Sequence, residues 1–381
     1  MSDVISINTI ILYCSVVIFS SMFAALACRN TYRSGISCRK NRLHIDRVMY
    51  SLSFLLCWGL IAFSKCGKDY FVYRNMFLDA TSMSNVILRY GIESGYAFIN
   101  YIIRMVTSNA EVFFAILAFF FVFPVYHTLY KMRAFLNPAW GVFVFTTVFF
   151  FQAMNLRRIY LAAALMFWAT SFLIDKQYSR YILLLIACVF IHTSAIIMVA
   201  PLIYDLFVGK KISKYTLIIL SAVFIIAVYY FKDMFFSFAI TDRYANYGVQ
   251  SGGIGLLQIV YHIPLVYVLM KHKSESEMEI RYRNIGFIYI LMSFAVGIFG
   301  YFVTMIGRAF VYFIFPFVLA PSYYSKQYIG HENSRHLVLT SRKVWKLVFL
   351  VYFIMRLMLY FSEYLFLDGI MPYQDIFLNT F

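Results

Sequence analysis

Charged side chains are scarce in this sequence. They make up 13% of its 381 residues, whereas 62% of the residues are hydrophobic and the mean hydropathy is +0.76. So few polar groups cannot cover the surface of a soluble globular protein of this size, which excludes that class. The composition predicts an all-α, polytopic membrane protein. No stretch is left for a separate soluble domain, so residues 1–381 are expected to form a single transmembrane domain.

Paired cysteines and clustered acidic residues are also missing. The six cysteines are scattered without a CxxC pair and indicate neither a metal site nor a disulfide framework, so we expect them to act as small apolar residues. Nothing in the sequence resembles a divalent-metal cluster. The net charge of +16 does not indicate nucleic-acid binding, because the basic residues are spread between hydrophobic runs. An excess of Lys and Arg in cytoplasmic loops explains most of them.

Hydrophobic runs recur along the whole chain. A membrane-crossing helix needs about 20 apolar residues, and the runs predict about eleven spans plus one re-entrant or broken helix pair. The first run, Val4 to Cys28, is too long for a signal peptide and has no Lys or Arg before it, so we expect it to be a retained helix. Ten spans can be placed, at 5–28, 48–66, 111–130, 138–155, 157–174, 215–231, 256–270, 284–304, 307–322 and 344–362, and the predicted pair is 181–191 with 193–207.

The basic residues predict the orientation of these spans. Six Lys and Arg lie between residues 29 and 47, which places this loop in the cytoplasm and the N-terminus outside. If residues 181–207 made one crossing, the basic loops after them would lie outside, against the positive-inside rule. A hairpin that returns to the same side keeps those loops cytoplasmic. Broken helices of this kind occur where the backbone lines a protein cavity.

Four arginines fall on the external side, where positive charge is disfavoured. Arg157 and Arg158 begin a long apolar helix with an alanine-rich patch, and Arg243 and Arg308 lie beside other span ends. The planar fork of arginine donates two parallel hydrogen bonds and keeps its charge when desolvated, which suits a phosphate. The four residues therefore predict one anion site built from separate loops. The alternatives are snorkelling to lipid phosphates and pairing with a carboxylate, such as Asp242 with Arg243.

Two external segments are long enough to form part of this site. Residues 67–110 are too many for a plain connector, so they are expected to contain short interfacial helices. Residues 232–255 have the composition of a mobile, aromatic-rich lid. His192 would lie at the turn of the predicted hairpin, although a lone histidine on an apolar face is more often a satisfied core residue.

Short motifs follow one another in a recognisable order along residues 67–373. They are Asp69 with Tyr73, Glu93-x-Gly95-Tyr96, the arginine that begins the alanine-rich helix, the lysine-bearing turn after it, Phe190-x-His192-x-Ser194, Arg243-Tyr244, Arg308 with Tyr312-Phe313, and Pro372-Tyr373. In this order they resemble the Wzy/EpsG-type polysaccharide polymerases. One position departs from the family pattern, which usually has Arg-Gln at the helix start. Arg157 is therefore the matching residue, and the role of Arg158 stays open.

The resemblance implies a fold similar to the GT-C-type membrane glycosyltransferases and an enzyme that joins oligosaccharide repeat units carried on undecaprenyl pyrophosphate. The growing chain would pass to the next lipid-linked unit on the outer face of the bacterial cytoplasmic membrane, so the lipid-linked oligosaccharide is both donor and acceptor. Membrane lipid, a chain-length regulator and a flippase of the same pathway are the further partners that the resemblance implies.

The chemistry of such a transfer fits the residues at hand. A glycosyl diphosphate has a weakly basic leaving group, so no general acid is needed, in contrast to glycoside hydrolysis. The reaction needs fixed positive charge against the phosphates and a base for the acceptor hydroxyl. No cofactor and no metal are expected. The assigned residues are Arg157, Arg158, Arg243 and Arg308 for the pyrophosphate, Asp69, Glu93, Asp242 and His192 as unranked candidate bases, and Tyr73, Tyr96, Tyr160 and Tyr244 as other substrate contacts.

Two other classes stay open on the sequence alone. A glycan ligase that attaches finished polymer to an acceptor uses closely related chemistry. A lipid-linked oligosaccharide flippase or another secondary transporter would also be polytopic. Against a transporter, the sequence lacks a corresponding pair of Gly/Pro-broken spans in two halves and a sustained intramembrane acidic relay.

Overall fold

The regular elements of the structure are helices. The computed structural model describes residues 6–31, 39–208, 256–271, 276–302, 307–324 and 335–376. The α-helices in these ranges are α1 (Ile7–Thr31), α2 (Arg39–Ala62), α3 (Tyr70–Leu78), α4 (Met83–Tyr90), α5 (Ser94–Val106), α6 (Ala110–Lys131), α7 (Pro138–Val144), α8 (Arg157–Ile174), α9 (Tyr178–Ile191), α10 (Val199–Ile203), α11 (Leu256–Lys271), α12 (Glu277–Phe302), α13 (Ile314–Ser322) and α14 (Arg335–Leu367). Short π- or 3₁₀-helical pieces cover Phe145–Phe149, Phe151–Met154, Thr193–Met198, Tyr204–Val208 and Arg308–Phe313.

Within these ranges, five helices are long and apolar enough to cross a membrane, and shorter apolar helices accompany them. The chain is therefore a multi-pass helical membrane protein, as the composition predicts. The five long stretches are Ile7–Cys28, Ile45–Ala62, Ala110–Lys131, Arg157–Ile174 and Lys343–Leu367. The predicted span at 215–231 lies outside the described residues, and the total of about eleven spans stays a prediction.

Helix α8 lies in the interior of the bundle. It is the most buried of the five long helices, with 78% of its apolar window inside the protein. Ala162, Ala163 and Ala164 are fully buried, and their small side chains let α6 and α9 approach closely. The predicted bounds of this helix, 157–174, are confirmed.

The residues of the predicted span 138–155 do not form one regular α-helix. Helix α7 ends at Val144 and is followed by a π-helical and then a 3₁₀-helical turn. The hydroxyl groups of Thr146 and Thr147 each donate to a carbonyl four residues earlier, at 2.9 and 2.7 Å. Such bonds compete with the helical N–H groups and bend a helix, which accounts for the break just before α8.

The predicted helix pair after α8 is confirmed as a hairpin. The Tyr178 hydroxyl at the start of α9 donates to the Asp205 carboxylate near the end of the second arm, at 2.9 Å. Deeper in the pair, the Tyr181 hydroxyl donates to the carbonyl of Met198 at 2.7 Å. Both arms therefore return to the same end of the bundle. The second arm is not one regular helix, because Pro201 lacks the N–H that an α-helix needs there.

The segment 67–110 contains three short helices, α3 to α5, which confirms that it is more than a connector. Ser82 begins α4 by accepting the N–H of the residue three positions on, and Gly91 ends it in the left-handed region at φ 56°. Phe77 of α3 stacks on Phe113 of α6, with ring centroids 4.3 Å apart. This contact fixes the segment over the end of the bundle where α6 begins.

Candidate active site

Two chain segments, 64–69 and 368–375, run side by side at the end of the bundle where α8 begins. The N–H of Gly67 donates to the carbonyl of Gly369 at 2.9 Å. Gly67 has φ 109°, and a Cβ atom at this position would lie 2.5 Å from the carbonyl oxygen of Met154. Only glycine fits this contact. It brings the backbone carbonyls of the first segment against the start of α8.

Arg157, the first residue of α8, is only 6% exposed. Its Nη2 donates to the carbonyls of Ser64 and Cys66 at 3.5 and 3.4 Å. The guanidinium carbon lies 4.3 Å from the ring centroid of Phe114 and 5.8 Å from that of Tyr70. Its Nε is buried without a hydrogen-bond partner, and no carboxylate in the described ranges forms an ion pair with it. A buried cation without a counter-charge is unfavourable, so this position favours an anionic ligand.

Arg158, by contrast, has a carboxylate partner. Its Nη1 lies 2.5 Å from Oε2 of Glu93, the residue that precedes α5. The other oxygen, Oε1, accepts hydrogen bonds from the N–H and hydroxyl of Thr193, at 3.2 and 3.4 Å. One carboxylate thus joins α5, α8 and the tip of the hairpin.

This pairing brings together two residues that the sequence assigned to separate roles, Arg158 to the pyrophosphate and Glu93 to proton transfer. Burial alone would raise the pKa of Glu93, but the positive charge of Arg158 and the hydrogen bond from Thr193 outweigh it and hold the pKa below its ordinary value. Glu93 is therefore a carboxylate at neutral pH and a weak proton acceptor.

Tyr73 and Tyr96 lie beside this ion pair. Their rings meet edge to face with centroids 6.0 Å apart, and the guanidinium of Arg158 lies 5.7 Å from the Tyr96 ring. The Tyr96 hydroxyl is buried and has no hydrogen-bond partner. Burial raises the pKa of both phenols, so both remain neutral hydrogen-bond donors.

His192 lies at the tip of the hairpin, as predicted. Its Nδ1 accepts the N–H of Ser194 at 3.3 Å and lies 2.7 Å from the Ser194 hydroxyl. That hydroxyl is in turn 3.1 Å from the hydroxyl of Tyr312. A ring nitrogen that accepts a backbone N–H carries no proton, so the neutral ring carries its proton on Nε2 and presents a donor there.

Arg308 is exposed at the start of its 3₁₀ turn, and its charge acts on the carboxylate of Asp368. Asn155, two residues before Arg157, donates from Nδ2 to Oδ1 of Asp368 at 3.1 Å. Arg157 and Arg308 therefore belong to the same end of the bundle. Tyr360 donates to Oδ2 of the same carboxylate at 2.7 Å.

The remaining candidates separate into described and undescribed positions. The N–H of Asp69 donates to Oδ1 of Asn155 at 3.1 Å, which places Asp69 beside the start of α8. Tyr160 is buried and donates to Gln152 at 2.7 Å, so its hydroxyl points to the turn before α8. Asp242, Arg243 and Tyr244, with the predicted lid 232–255, lie outside the described residues.

In the part of the chain that is described, no group of three or more His, Cys, Asp and Glu side chains is placed to hold a metal ion.

Sequence reasoning did not single out Asp368 or Asn155. The available signal for Asp368 was an Asp-Gly pair directly after the last apolar run, since Gly369 adopts φ 68° and turns the chain back over the bundle. Asn155 precedes the two arginines by only two positions. Nothing in the sequence indicated that these two residues, 213 positions apart, would form a hydrogen bond.

Comparison with known proteins gives one finding. The sequence model of the EpsG family matches residues 47–374, which is most of the chain. Comparisons with curated proteins and with solved structures give no significant match. The chain therefore belongs to the EpsG family, a family of Wzy-type polysaccharide polymerases.

Proposed function

We propose that this polysaccharide polymerase joins oligosaccharide repeat units carried on undecaprenyl pyrophosphate, with its site on the outer face of the bacterial cytoplasmic membrane. The observation that carries this proposal is the buried guanidinium of Arg157, whose only described polar contacts are two long hydrogen bonds to backbone carbonyls. A diphosphate is the ligand that a fork-shaped, desolvated cation suits best. Both substrates of such a polymerase carry one.

The proposed reaction is a direct glycosyl transfer. A hydroxyl of the acceptor sugar attacks the anomeric carbon of the growing chain, the bond from that carbon to the diphosphate oxygen breaks, and the hydroxyl proton passes to a base. Negative charge grows on the leaving diphosphate. Three arginines would stabilise this charge without reorganisation of the site. They are Arg157, Arg308 and Arg243, the last of which lies outside the described residues. Because these cations supply the charge that the leaving group needs, we propose that the transfer is metal-independent.

The other candidate residues take supporting roles. The pairing of Arg158 with Glu93 supports a role for both in holding the hairpin tip against α5. His192 lies at the hairpin tip beside Ser194 and stays a predicted candidate for proton transfer. The neutral phenols of Tyr73 and Tyr96 lie at the same place, so we propose them as sugar contacts. The roles of four other residues stay predictions: Tyr160 and Tyr244 as substrate contacts, and Asp69 and Asp242 as bases.

The experiment that tests the proposal is polymerisation by the purified full chain in detergent or in vesicles. The substrate is a synthetic repeat unit on undecaprenyl pyrophosphate, and the products are separated by length. We expect a ladder of products that differ by one repeat unit and remain on the lipid. A glycan ligase would give no ladder and would transfer sugar only to a different acceptor. A flippase would move the intact substrate across the vesicle and leave its length unchanged.

The outer-face orientation has its own test. Thr193 at the hairpin tip and Lys176 in the turn after α8 are both exposed and lie at opposite ends of the hairpin. In a variant without the native cysteines, we expect Thr193→Cys in intact cells to react with a membrane-impermeant thiol reagent and Lys176→Cys to react only after lysis. The reverse pattern would place the site in the cytoplasm.

A further inference from the structure

Asp368 occupies a junction between four parts of the chain. It directly follows α14, and its backbone carbonyl accepts the N–H of Lys68 at 3.0 Å. Its side chain receives hydrogen bonds from Asn155, before α8, and from Tyr360, on α14. The charge of Arg308 also acts on this carboxylate. A carboxylate in this position lies at the same end of the bundle as Arg157 and Arg308.

Side-chain hydrogen bonds hold the carboxylate in one orientation. Asn155 Nδ2 donates to Oδ1 at 3.1 Å, and the Tyr360 hydroxyl donates to Oδ2 at 2.7 Å. The side chain of Gln152 is a third hydrogen-bond partner of this carboxylate. The two oxygens together offer four lone pairs, so one acceptor position remains after these three bonds. The residue as a whole is 8% exposed. The carboxylate is thus fixed in direction and still able to accept a proton.

The surroundings of Asp368 differ from those of Glu93. Glu93 is in contact with a guanidinium, which holds its pKa low, whereas Asp368 has no arginine within ion-pair distance among the described residues. Burial raises the pKa of Asp368. The hydrogen bonds of Tyr360, Asn155 and Gln152 and the charge of Arg308 offset this only in part. A carboxylate with a raised pKa accepts a proton more readily.

The titratable and charged groups that face Asp368 come from each element packed against it. They are Tyr360 and Tyr364 from α14, Tyr160 from α8, Arg308 from the 3₁₀ turn before α13, and Lys68 from the segment 64–69. Arg308 is the arginine whose charge acts on the Asp368 carboxylate. Bound diphosphate would neutralise that arginine and leave Asp368 a stronger proton acceptor when substrate is present.

We propose that Asp368 is the general base that accepts the proton of the acceptor hydroxyl, an inference that rests on the proposed function. As the new bond forms between the acceptor oxygen and the anomeric carbon, the proton of that oxygen passes to a carboxylate oxygen of Asp368. The bond from the anomeric carbon to the diphosphate breaks with its electron pair, and the arginines hold the released diphosphate. The proton leaves Asp368 to water before the next turnover.

Two variants and their matched controls test this. Asp368→Asn keeps the shape and removes the base. Tyr360→Phe keeps the base and removes one hydrogen bond that favours its charged form. The controls are Asp79→Asn and Tyr90→Phe, because the Tyr90 hydroxyl donates to Asp79 at 2.5 Å and Arg89 lies 2.8 Å from the same carboxylate. Neither residue of this second tyrosine–carboxylate pair is assigned to substrate binding or to proton transfer.

The measurement is kcat and KM of the first coupling step, made with the full-length protein. The pH runs from about 5 to 9, because this range includes the raised pKa values of catalytic carboxylates. Asp368→Asn is expected to lower kcat by about 10² to 10⁴-fold with little change in KM, as for loss of a general base. Tyr360→Phe is expected to move the acidic limb of the pH–rate profile to higher pH, because removing a donor to the charged form raises the pKa of the carboxyl. Both controls are expected to keep the wild-type profile.

The outcomes separate this inference from the proposed function. If the wild-type protein makes no ladder, the proposed function fails. If the wild-type protein is active but Asp368→Asn keeps more than about a tenth of kcat, the residue is not the general base. Should Asp368→Asn not fold, Tyr360→Phe decides: an unmoved acidic limb overturns the proposal, and a limb at higher pH supports it.

Discussion

Arg158 and Glu93 form an ion pair with 2.5 Å between Nη1 and Oε2, and both side chains are mostly buried, at 17% and 16% exposed. The pair joins the first turn of α8 to the residue that begins α5, 65 positions earlier in the sequence. The same carboxylate accepts two hydrogen bonds from Thr193 at the hairpin tip. Three elements that approach the site from different parts of the chain are thus held by one charged group.

This pair gives a first prediction. Removing one partner leaves a charge buried without its counter-charge, so Glu93→Gln and Arg158→Gln are each expected to destabilise the fold by about 3 to 5 kcal/mol. The double variant is expected to lose clearly less than the sum, because it leaves no unpaired charge. Unfolding of the purified protein in detergent gives the three values. Additive losses would mean that the two residues do not act as a pair.

The activity of the same variants distinguishes the two roles of Arg158. If it positions the hairpin tip through Glu93, the double variant should be no less active than either single variant. If it also binds phosphate, Arg158→Gln should lower the coupling rate further on the Glu93→Gln background. The coupling rate is measured with all four proteins under the same conditions.

The lowered pKa of Glu93 makes stability depend on pH with a definite sign. Although burial alone would raise this pKa, Arg158 outweighs it, so the folded protein releases the Glu93 proton at lower pH than the unfolded chain does. The stabilisation is therefore fully present above the ordinary pKa of glutamate and is lost as the pH falls through the lowered pKa. The Tm of the wild-type protein should approach that of Glu93→Gln between about pH 5 and pH 3. A constant Tm difference over this range would contradict the ion pair.

Substitution of Arg157 should lower the coupling rate far more than substitution of an arginine at the other end of the bundle. We expect Arg157→Ala to lower the coupling rate on the order of 10² to 10³-fold, as for loss of one preorganised electrostatic donor. Arg157→Lys should restore little of the lost activity, because the lysine ammonium cannot donate two parallel hydrogen bonds as the guanidinium does. The control is Arg133→Ala, because Arg133 also lies over an aromatic ring, 4.2 Å from the Tyr130 centroid, and donates to a carbonyl. Long polymer made by Arg157→Ala would contradict the phosphate role.

Gly95 should not tolerate a methyl group. A Cβ atom at this position would lie 2.6 Å from the carbonyl oxygen of Phe190, so α5 would have to move away from the end of α9. We expect Gly95→Ala to destabilise the protein by about 1 to 3 kcal/mol. Activity should also fall, because this contact holds the hairpin tip against α5. Gly59→Ala is the control: its Cβ meets nothing closer than the Phe63 ring at 3.9 Å. Equal Tm values for the two variants would show that the contact is not tight.

The elements of the fold were largely predictable from the sequence, because they depend on local properties. The length of an apolar run predicts a span, and the bias of basic residues between runs predicts on which side each loop lies. The bounds of α8, the hairpin after it and the short helices within residues 67–110 all followed from these properties. So did the resemblance to the EpsG family, which rests on short motifs such as Phe190-x-His192-x-Ser194.

The contacts of the site were decided by the tertiary structure alone. Sequence reasoning placed Arg157 and Arg158 side by side and could not tell that one meets Glu93 while the other has no described carboxylate partner. It also gave no reason to join Asn155 to Asp368. The physical reason is that adjacent residues on a helix point about 100° apart, so their environments depend on which distant segments pack against each face. Charge and hydropathy along the chain carry no information on that packing.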